Sequence, residues 1–200
     1  MKKPILLFAS TNRGKIRELA ALLKGTGYGL TTPDELGLDL DVEETGQTYE
    51  ENARLKAAAF CQASGLYSLA DDTGLEVSAL DGAPGLHSAR FSSIPNASDA
   101  DRRQLLISRL RNKPRPCLAR FVCVVALASP DGPMESAFGS CDGEIIPDER
   151  GREGFGYDRI FLFPKLNKTM AELKMEEKNR ISHRAMAVRA IIPHLINLAR

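Results

Sequence analysis

Ile5-Leu6-Leu7-Phe8-Ala9-Ser10-Thr11-Asn12-Arg13-Gly14-Lys15 carries the change of pattern that sets the fold class. Ile5 to Ala9 is a continuous apolar run, the signature of a strand buried on both faces. Polar Ser10-Thr11-Asn12 follows; Ile16, Leu19, Ala20, Leu22 and Leu23 then recur at helical spacing until Gly25 and Gly27 stop the helix. Strand, polar loop, helix is an α/β connection, in which N–H groups at a helix start can meet phosphates. The loop lacks the first glycine of a Walker P-loop, so that motif is absent. Lys15 is open to two readings: the cation of a loose phosphate loop, or a solvated lysine on a capped helix.

Further along, Leu30 to Leu40 reads as irregular, with a turn at Pro33-Asp34. Glu43-Glu44-Thr45-Gly46 places an acidic pair beside a glycine. Thr48 caps the next helix with Glu51 at the capping-box position, and that helix runs to about Ala63 with an alanine-rich inner side. Asn52 and Lys56, four apart, share one face, either ligand-facing or solvated. Ser68 to Ala70 and Leu75 to Val77 read as two short strands around Asp71-Asp72-Thr73-Gly74. Such a break puts carboxylates at a sheet rim, where open α/β folds bind ligands, and it is also ordinary turn chemistry. Neighbouring side chains in extended backbone point to opposite sides, so the two carboxylates should not face one ligand. Periodicity leaves open which of them does.

Ala83-Pro84-Gly85 forms a turn, followed by Ser88-Ala89-Arg90-Phe91. Asp99 to Leu110 is a helix with Leu105, Leu106 and Leu110 inward and Arg102, Arg103 and Arg109 solvated. Pro114 and Pro116 stiffen a linker. Strands at 119–128 and 135–141 flank the Pro130-Asp131-Gly132 hairpin, so the sheet is mixed. Gly154-Phe155-Gly156-Tyr157-Asp158 holds an aromatic between glycines, leaving its face open for stacking. Ile160 to Phe163 is a strand ended by Pro164, and a charged helical stretch carries Glu172, Glu176, Glu177 and Lys178. Ser182 reads as the N-cap of a last helix kinked at Pro193. His183 and Arg184 sit in its first turn, where the helix dipole disfavours cations and an anionic or carbonyl partner is called for.

At 200 residues, with 43% hydrophobic content and a net charge of +1, the chain fits one globular domain or two lobes. No basic excess marks a nucleic-acid groove or a membrane-binding face. Lys2-Lys3 before the apolar run faintly resembles a signal peptide, but the run is too short for one. No run approaches the ~18 apolar residues of a membrane span. Cys61, Cys117, Cys123 and Cys141 form no C-x-x-C and read as small buried hydrophobes in a reducing, cytoplasmic compartment. His87, His183 and His194 are too scattered for a zinc signature. Lys15, Lys56 and Lys178 could neutralise phosphates, Glu44 and Asp72 could hold Mg²⁺, and Phe155 could stack a base. Together these point to a nucleoside triphosphate.

The ordered set Ser10 to Lys15, Glu44-Thr45-Gly46, Glu51-Asn52-Ala53 through Leu55-Lys56-Ala57, Ala70 to Gly74, Gly82-Ala83-Pro84-Gly85 with Ser88-Ala89-Arg90, Gly154 to Asp158, Glu177-Lys178 and Ser182-His183-Arg184 resembles the inosine triphosphate pyrophosphatase family. That resemblance covers nearly the whole chain, 1–200, as a single domain. It implies an elongated mixed β-sheet flanked by helices, two α/β lobes with a central cleft, and a homodimer. The reaction it implies is Mg²⁺-dependent hydrolysis of ITP, dITP or XTP to the monophosphate and pyrophosphate. Carried over by motif, Ser10, Thr11, Asn12, Arg13, Gly14 and Lys15 would hold the phosphates with Lys56 and Lys178. Glu44 and Asp72 would ligate the metal, with Asp72 also the proton acceptor. Thr73, Phe155, Gly156, Tyr157 and Asp158 would touch the substrate, and His183 and Arg184 would read the base. Two positions depart from the family: Thr73 where Ser is usual, and Arg159 where Pro is usual, which is expected to loosen the loop carrying Phe155. A related pyrophosphatase for pyrimidine or modified nucleotides, or a non-catalytic nucleotide sensor, would use the same pocket.

Overall fold

The structure, a computed structural model, describes residues 3–198; Lys2 of the basic pair lies outside them. Its elements run β1 (Ile5–Phe8), α1 (Arg13–Leu22), β2 (Gly29–Thr31), α2 (Pro33–Leu36), α3 (Tyr49–Ser64), β3 (Tyr67–Val77), β4 (Pro84–Gly85), α4 (Asp99–Leu110), β5 (Cys117–Ala128), β6 (Glu135–Ile145), β7 (Phe161–Phe163), β8 (Lys168–Thr169), α5 (Met175–Ile181) and α6 (His183–Leu198). Among the described residues the strands make one mixed sheet in the order β2-β1-β3-β5-β6-β7-β8, with β4 on β3. β1 runs parallel to β2 and β3, whereas β7 is antiparallel to β6 and β8. The α/β class with an open mixed sheet flanked by helices is as the sequence implied.

Contacts divide the chain into two compact units: Met1–Asp72, Cys123–Gly139 and His183–Arg200 in the first, Thr73–Val122 and Ser140–Ser182 in the second. In the first unit the period-2 alternation of buried strands divides the core in two. Leu6, Phe8, Leu69, Cys123, Val125 and Leu127 pack with Leu19 and Leu23 beside α1 and with Val188, Ile191 and Leu195 of α6. Leu7, Ala9, Ala70, Val124, Ala126 and Ala128 turn the other way, onto Ala53, Ala57, Phe60 and Cys61 of α3. Helices therefore cover both faces, which is why these strands read as unbroken apolar runs. Gly139 allows α6 to lie against β6: a Cβ there would collide with the His183 carbonyl and the Ala187 amide. In the second unit, Leu106 and Leu110 of α4 join Leu75, Val77, Phe121, Ile145, Tyr157 and Phe161 in a separate core. The Phe121 and Phe161 rings stand 4.7 Å apart.

Several expectations are corrected. The segment read as irregular contains β2 and the single turn α2, closed by a Thr32–Glu35 capping box. The two short strands around the acidic pair are one eleven-residue strand, paired with β1 over its first residues and with β4 near its end, and the backbone between stays extended where turn chemistry was expected. β6 likewise runs past Cys141 to Ile145. Ser182 closes α5 as its C-cap, its N–H donating to the Lys178 carbonyl, and α6 continues through Pro193 to Leu198. Arg103 is buried rather than solvated, and Arg102 is half-buried against Asp99. All four cysteines are buried thiols outside any disulfide.

Candidate active site

The first unit brings Lys15, Glu44, Lys56, Asp71, Asp72 and Arg184 together, and β3 is the reason. Asp71 shares the side of Leu69 and faces α1 and α6; Asp72 shares the side of Ala70 and faces α3. The two carboxylates therefore have different partners. On the α3 side, Lys56 Nζ lies 2.7 Å from Glu44 Oε1 and 3.4 Å from Asp72 Oδ1. Asn52, one turn earlier on that helix, accepts a 2.8 Å bond from the Gly46 N–H and donates to Asp72 Oδ2 at 3.4 Å. It thereby ties the acidic loop to the strand. A Cβ on Gly46 would come within 2.6 Å of the Asn52 amide oxygen, so only glycine lets the loop close this tightly.

Electrostatics separate the pair further. Burial raises the Asp72 carboxyl above the ordinary range, with Glu44 and Asp71 adding to it against the pull of Lys56 and Lys15. Lys56 is pushed upward despite its burial, because Asp72, Asp71 and Glu44 surround it. Asp71 is the opposite case: it is fully buried, yet Lys15 and Arg184 hold it well below the carboxylate range. Lys15 Nζ stands 3.0 Å from Asp71 Oδ1. Arg184 donates to Asp71 Oδ2 from Nε at 3.3 Å and Nη2 at 3.1 Å, and from Nη1 to Glu18.

Placed against the expected roles, the residues divide. Ser10 to Asn12 lead into the first turn of α1, with Asn12 as its N-cap: Asn12 Oδ1 accepts from the Gly14 and Lys15 amides at 2.9 and 3.1 Å, and Ser10 Oγ accepts from the Asn12 N–H at 3.2 Å. Lys15 is thus aimed at the acidic strand rather than freely solvated. Glu44, Lys56 and Asp72 converge. His183 opens α6 and is 3% exposed. Arg184 is buried beside it: its side chain is 2% exposed and its guanidinium grips Asp71 and Glu18.

The second unit holds the remaining residues. Thr73 sits half-buried in β3 directly after the acidic pair. Asp158 Oδ2 accepts from the Phe155 N–H at 2.9 Å and pairs with Lys178 Nζ at 2.6 Å. Lys178 lies 5.2 Å from the centroid of the Phe155 ring and is 4% exposed, so the structure places it under the aromatic loop. The buried Tyr157 hydroxyl donates to the Ser88 carbonyl at 2.9 Å. Burial also pushes that phenol far up, leaving it a neutral donor.

Sequence reading missed Glu18, 3% exposed, although a carboxylate next to Leu19 on the inward stripe of α1 is a signal in itself: a buried charge demands a partner. Asn52 shares the Lys56 face, as its spacing implies, and its two-way bond depends on Gly46 and Asp72, which only the fold brings to it. The Ham1 family matches residues 6–194. A "dITP/XTP pyrophosphatase" from Desulforamulus reducens is 46% identical over 92% of each chain. One of the same description from Haemophilus ducreyi is 44% identical over 96% of this chain and 98% of its own. The solved structure of the Staphylococcus aureus Ham1 protein superposes with a TM-score of 0.84 at 42% identity, covering 97% of this chain and 99% of that one. A HAM1 protein from Coxiella burnetii gives 0.86 at 38% identity, with the same coverage of both chains. The chain belongs to the Ham1 family.

Proposed function

We propose that the protein hydrolyses deaminated purine nucleoside triphosphates (ITP, dITP and XTP) to the monophosphate and pyrophosphate, in a Mg²⁺-dependent reaction. The observation that carries this reading is the convergence of Glu44 and Asp72 on the Lys56 ammonium, with burial raising Asp72 toward the range of a working base. The names of the relatives, dITP/XTP pyrophosphatases, support the same chemistry.

The donor set fits a divalent ion. Glu44 and Asp72 already share one cation, and Mg²⁺ takes one or two carboxylates with phosphate oxygens and water. No group of three or more His, Cys, Asp or Glu side chains converges among the described residues, and this coordination needs none. Bound there, the ion would neutralise phosphate charge and acidify a water. The chain's own groups do the rest. Lys15, Lys56 and the polar segment Ser10–Lys15 would meet phosphate oxygens. Asp72 would accept a proton from the water that attacks the α-phosphorus, as the bond to the bridging oxygen breaks and pyrophosphate leaves. In-line positioning and charge neutralisation dominate such a transfer.

In the second unit Phe155, with Gly156, Tyr157, Asp158 and Thr73, would receive the base, and Lys178 fixes this loop through Asp158. Base discrimination follows from the edge: hypoxanthine and xanthine present a carbonyl at position 6 where adenine presents an amino donor. A donor at His183 would meet that carbonyl and leave adenine unpaired, and sites built on such hydrogen bonds discriminate by roughly 10⁴–10⁵. The whole chain is read as one catalytic domain, acting as a cytoplasmic homodimer. The four buried thiols suit a reducing compartment, and no helix among the described residues is long and apolar enough to cross a membrane. Incubation with ITP and Mg²⁺ is expected to yield IMP and pyrophosphate. IDP with orthophosphate, or no turnover, refutes the assignment; light scattering at the monomer mass refutes the dimer.

A further inference from the structure

Two α4 side chains hold the aromatic loop at Gly156. Arg103 is 6% exposed. Its Nη1 donates to the Gly156 carbonyl at 2.8 Å, while Nε and Nη2 donate to the two oxygens of Glu149 at 2.9 and 3.0 Å. Asp99, one turn earlier on the same helix face, accepts from the Gly156 N–H at 2.7 Å. Both polar groups of the Gly156 backbone therefore end on α4. Arg102 holds the other oxygen of Asp99, and Arg159 Nη1 stands 3.6 Å from Glu149. Arg159, the residue expected to loosen the loop, adds a tie to it instead. Asp99, Arg103 and Arg159 also line a cavity of about 210 Å³ whose remaining wall includes Gly154 and Phe155.

We propose that Asp99 and Arg103, held in turn by Glu149 and Arg159, are positioning residues that preset the Phe155-bearing loop for the base; this rests on the reading of Phe155 as the base platform. Gly151, Gly154 and Gly156 all have positive φ, at +85°, +75° and +59°. A stretch so rich in glycine has many unbound conformations to lose, and the entropy of ordering it would otherwise weaken every binding event. Holding the N–H and the C=O of Gly156, in the peptide planes on either side of its Cα, removes that freedom before substrate arrives. The choice of side chains is specific. A guanidinium fork matches a carboxylate bidentately and retains a further N–H for the carbonyl, which lysine cannot reproduce. The hydrogen bond from Gly156 and the ion pair with Arg102 hold Asp99 below the usual carboxylate range although burial opposes them, and Arg103 does the same for Glu149.

The test compares Asp99→Ala, Asp99→Asn, Arg103→Lys and the exposed control Arg109→Lys, by amide hydrogen exchange across 154–158 in the free protein and by kcat and KM for ITP. In Asp99→Ala and Arg103→Lys, Gly156 exchange is expected to accelerate, with KM rising roughly tenfold, the equivalent of one lost hydrogen bond, and kcat within about twofold. Asp99→Asn, whose amide oxygen still accepts, should recover much of the loss, and Arg109→Lys should match wild type. Unchanged Gly156 exchange and unchanged KM, with only a lower Tm, overturns the proposal. Wild-type protein that leaves ITP intact defeats the functional reading alone; the clamp is then judged by exchange, slow in wild type and fast in Asp99→Ala if it holds.

Discussion

Replacing Arg184 by methionine leaves two carboxylates where there was one buried ion group. Asp71 and Arg184 side chains are each 2% exposed and Glu18 is 4% exposed, so none can recover solvation by turning outward. Lys15 still reaches Asp71 Oδ1 at 3.0 Å, but Glu18 loses the guanidinium that donates to it. Breaking a buried ion pair from one side costs about 3–5 kcal/mol. For a chain of this size each kcal/mol moves Tm by roughly 2–4 °C, so the melting point should fall by roughly 6–20 °C. The pH dependence has a definite sign. In the wild type Asp71 is held low, so its contribution is present above its unfolded pKa and lost as pH falls through acid. In Arg184→Met the buried carboxylates titrate upward; their penalty is largest near neutrality and relaxes as they protonate, so the gap to wild type narrows on acidification. Urea and thermal unfolding at pH 7 and pH 5 read this directly. The companion variant Glu18→Leu/Asp71→Leu/Arg184→Met should recover most of the loss, because whole buried ion groups can be replaced by apolar ones at little cost. A loss under about 1 kcal/mol at pH 7, or one independent of pH, refutes the argument that Arg184 neutralises two buried acids.

Asp72→Asn should keep the fold, since it removes a charge that burial already disfavours, while turnover of ITP drops by about 10²–10⁴, the usual share of a general base; near-normal rates would falsify the assignment. Chelation of divalent ions should abolish pyrophosphate release with readdition of Mg²⁺ restoring it, checked by coupled phosphate detection. Gly139→Ala should destabilise by about 1–3 kcal/mol, because the added methyl meets the α6 backbone rather than a flexible side chain; calorimetry measures it. Acid should unfold the second unit's clamp, since Asp99 and Glu149 are both held low and their stabilisation is present above their unfolded pKa and disappears as pH falls below about 4. A smaller Gly156 protection factor at low pH, after correction for the slower intrinsic exchange in acid, would report it.

The unbroken apolar run Leu6 to Ala9, the helical spacing from Ile16 to Leu23 and the Thr48 cap of α3 are local properties of the chain, and each could be read from residue order alone. So could the face shared by Asn52 and Lys56, and the mixed sheet. Where the reading failed, a distant partner decided. Asp71-Asp72-Thr73-Gly74 has the composition of a turn, yet it lies inside one strand that is paired with β1 before it and with β4 after it. Arg103 has the composition of a surface residue, but it lies on the Leu106–Leu110 stripe of α4 and finds Glu149 and the Gly156 carbonyl. Spacing alone shows that Asp71 and Asp72 point apart. Which of them meets α1 and α6 and which meets α3 depends on the packing of helices on the two sides of one strand, and that assignment exists only in the tertiary structure.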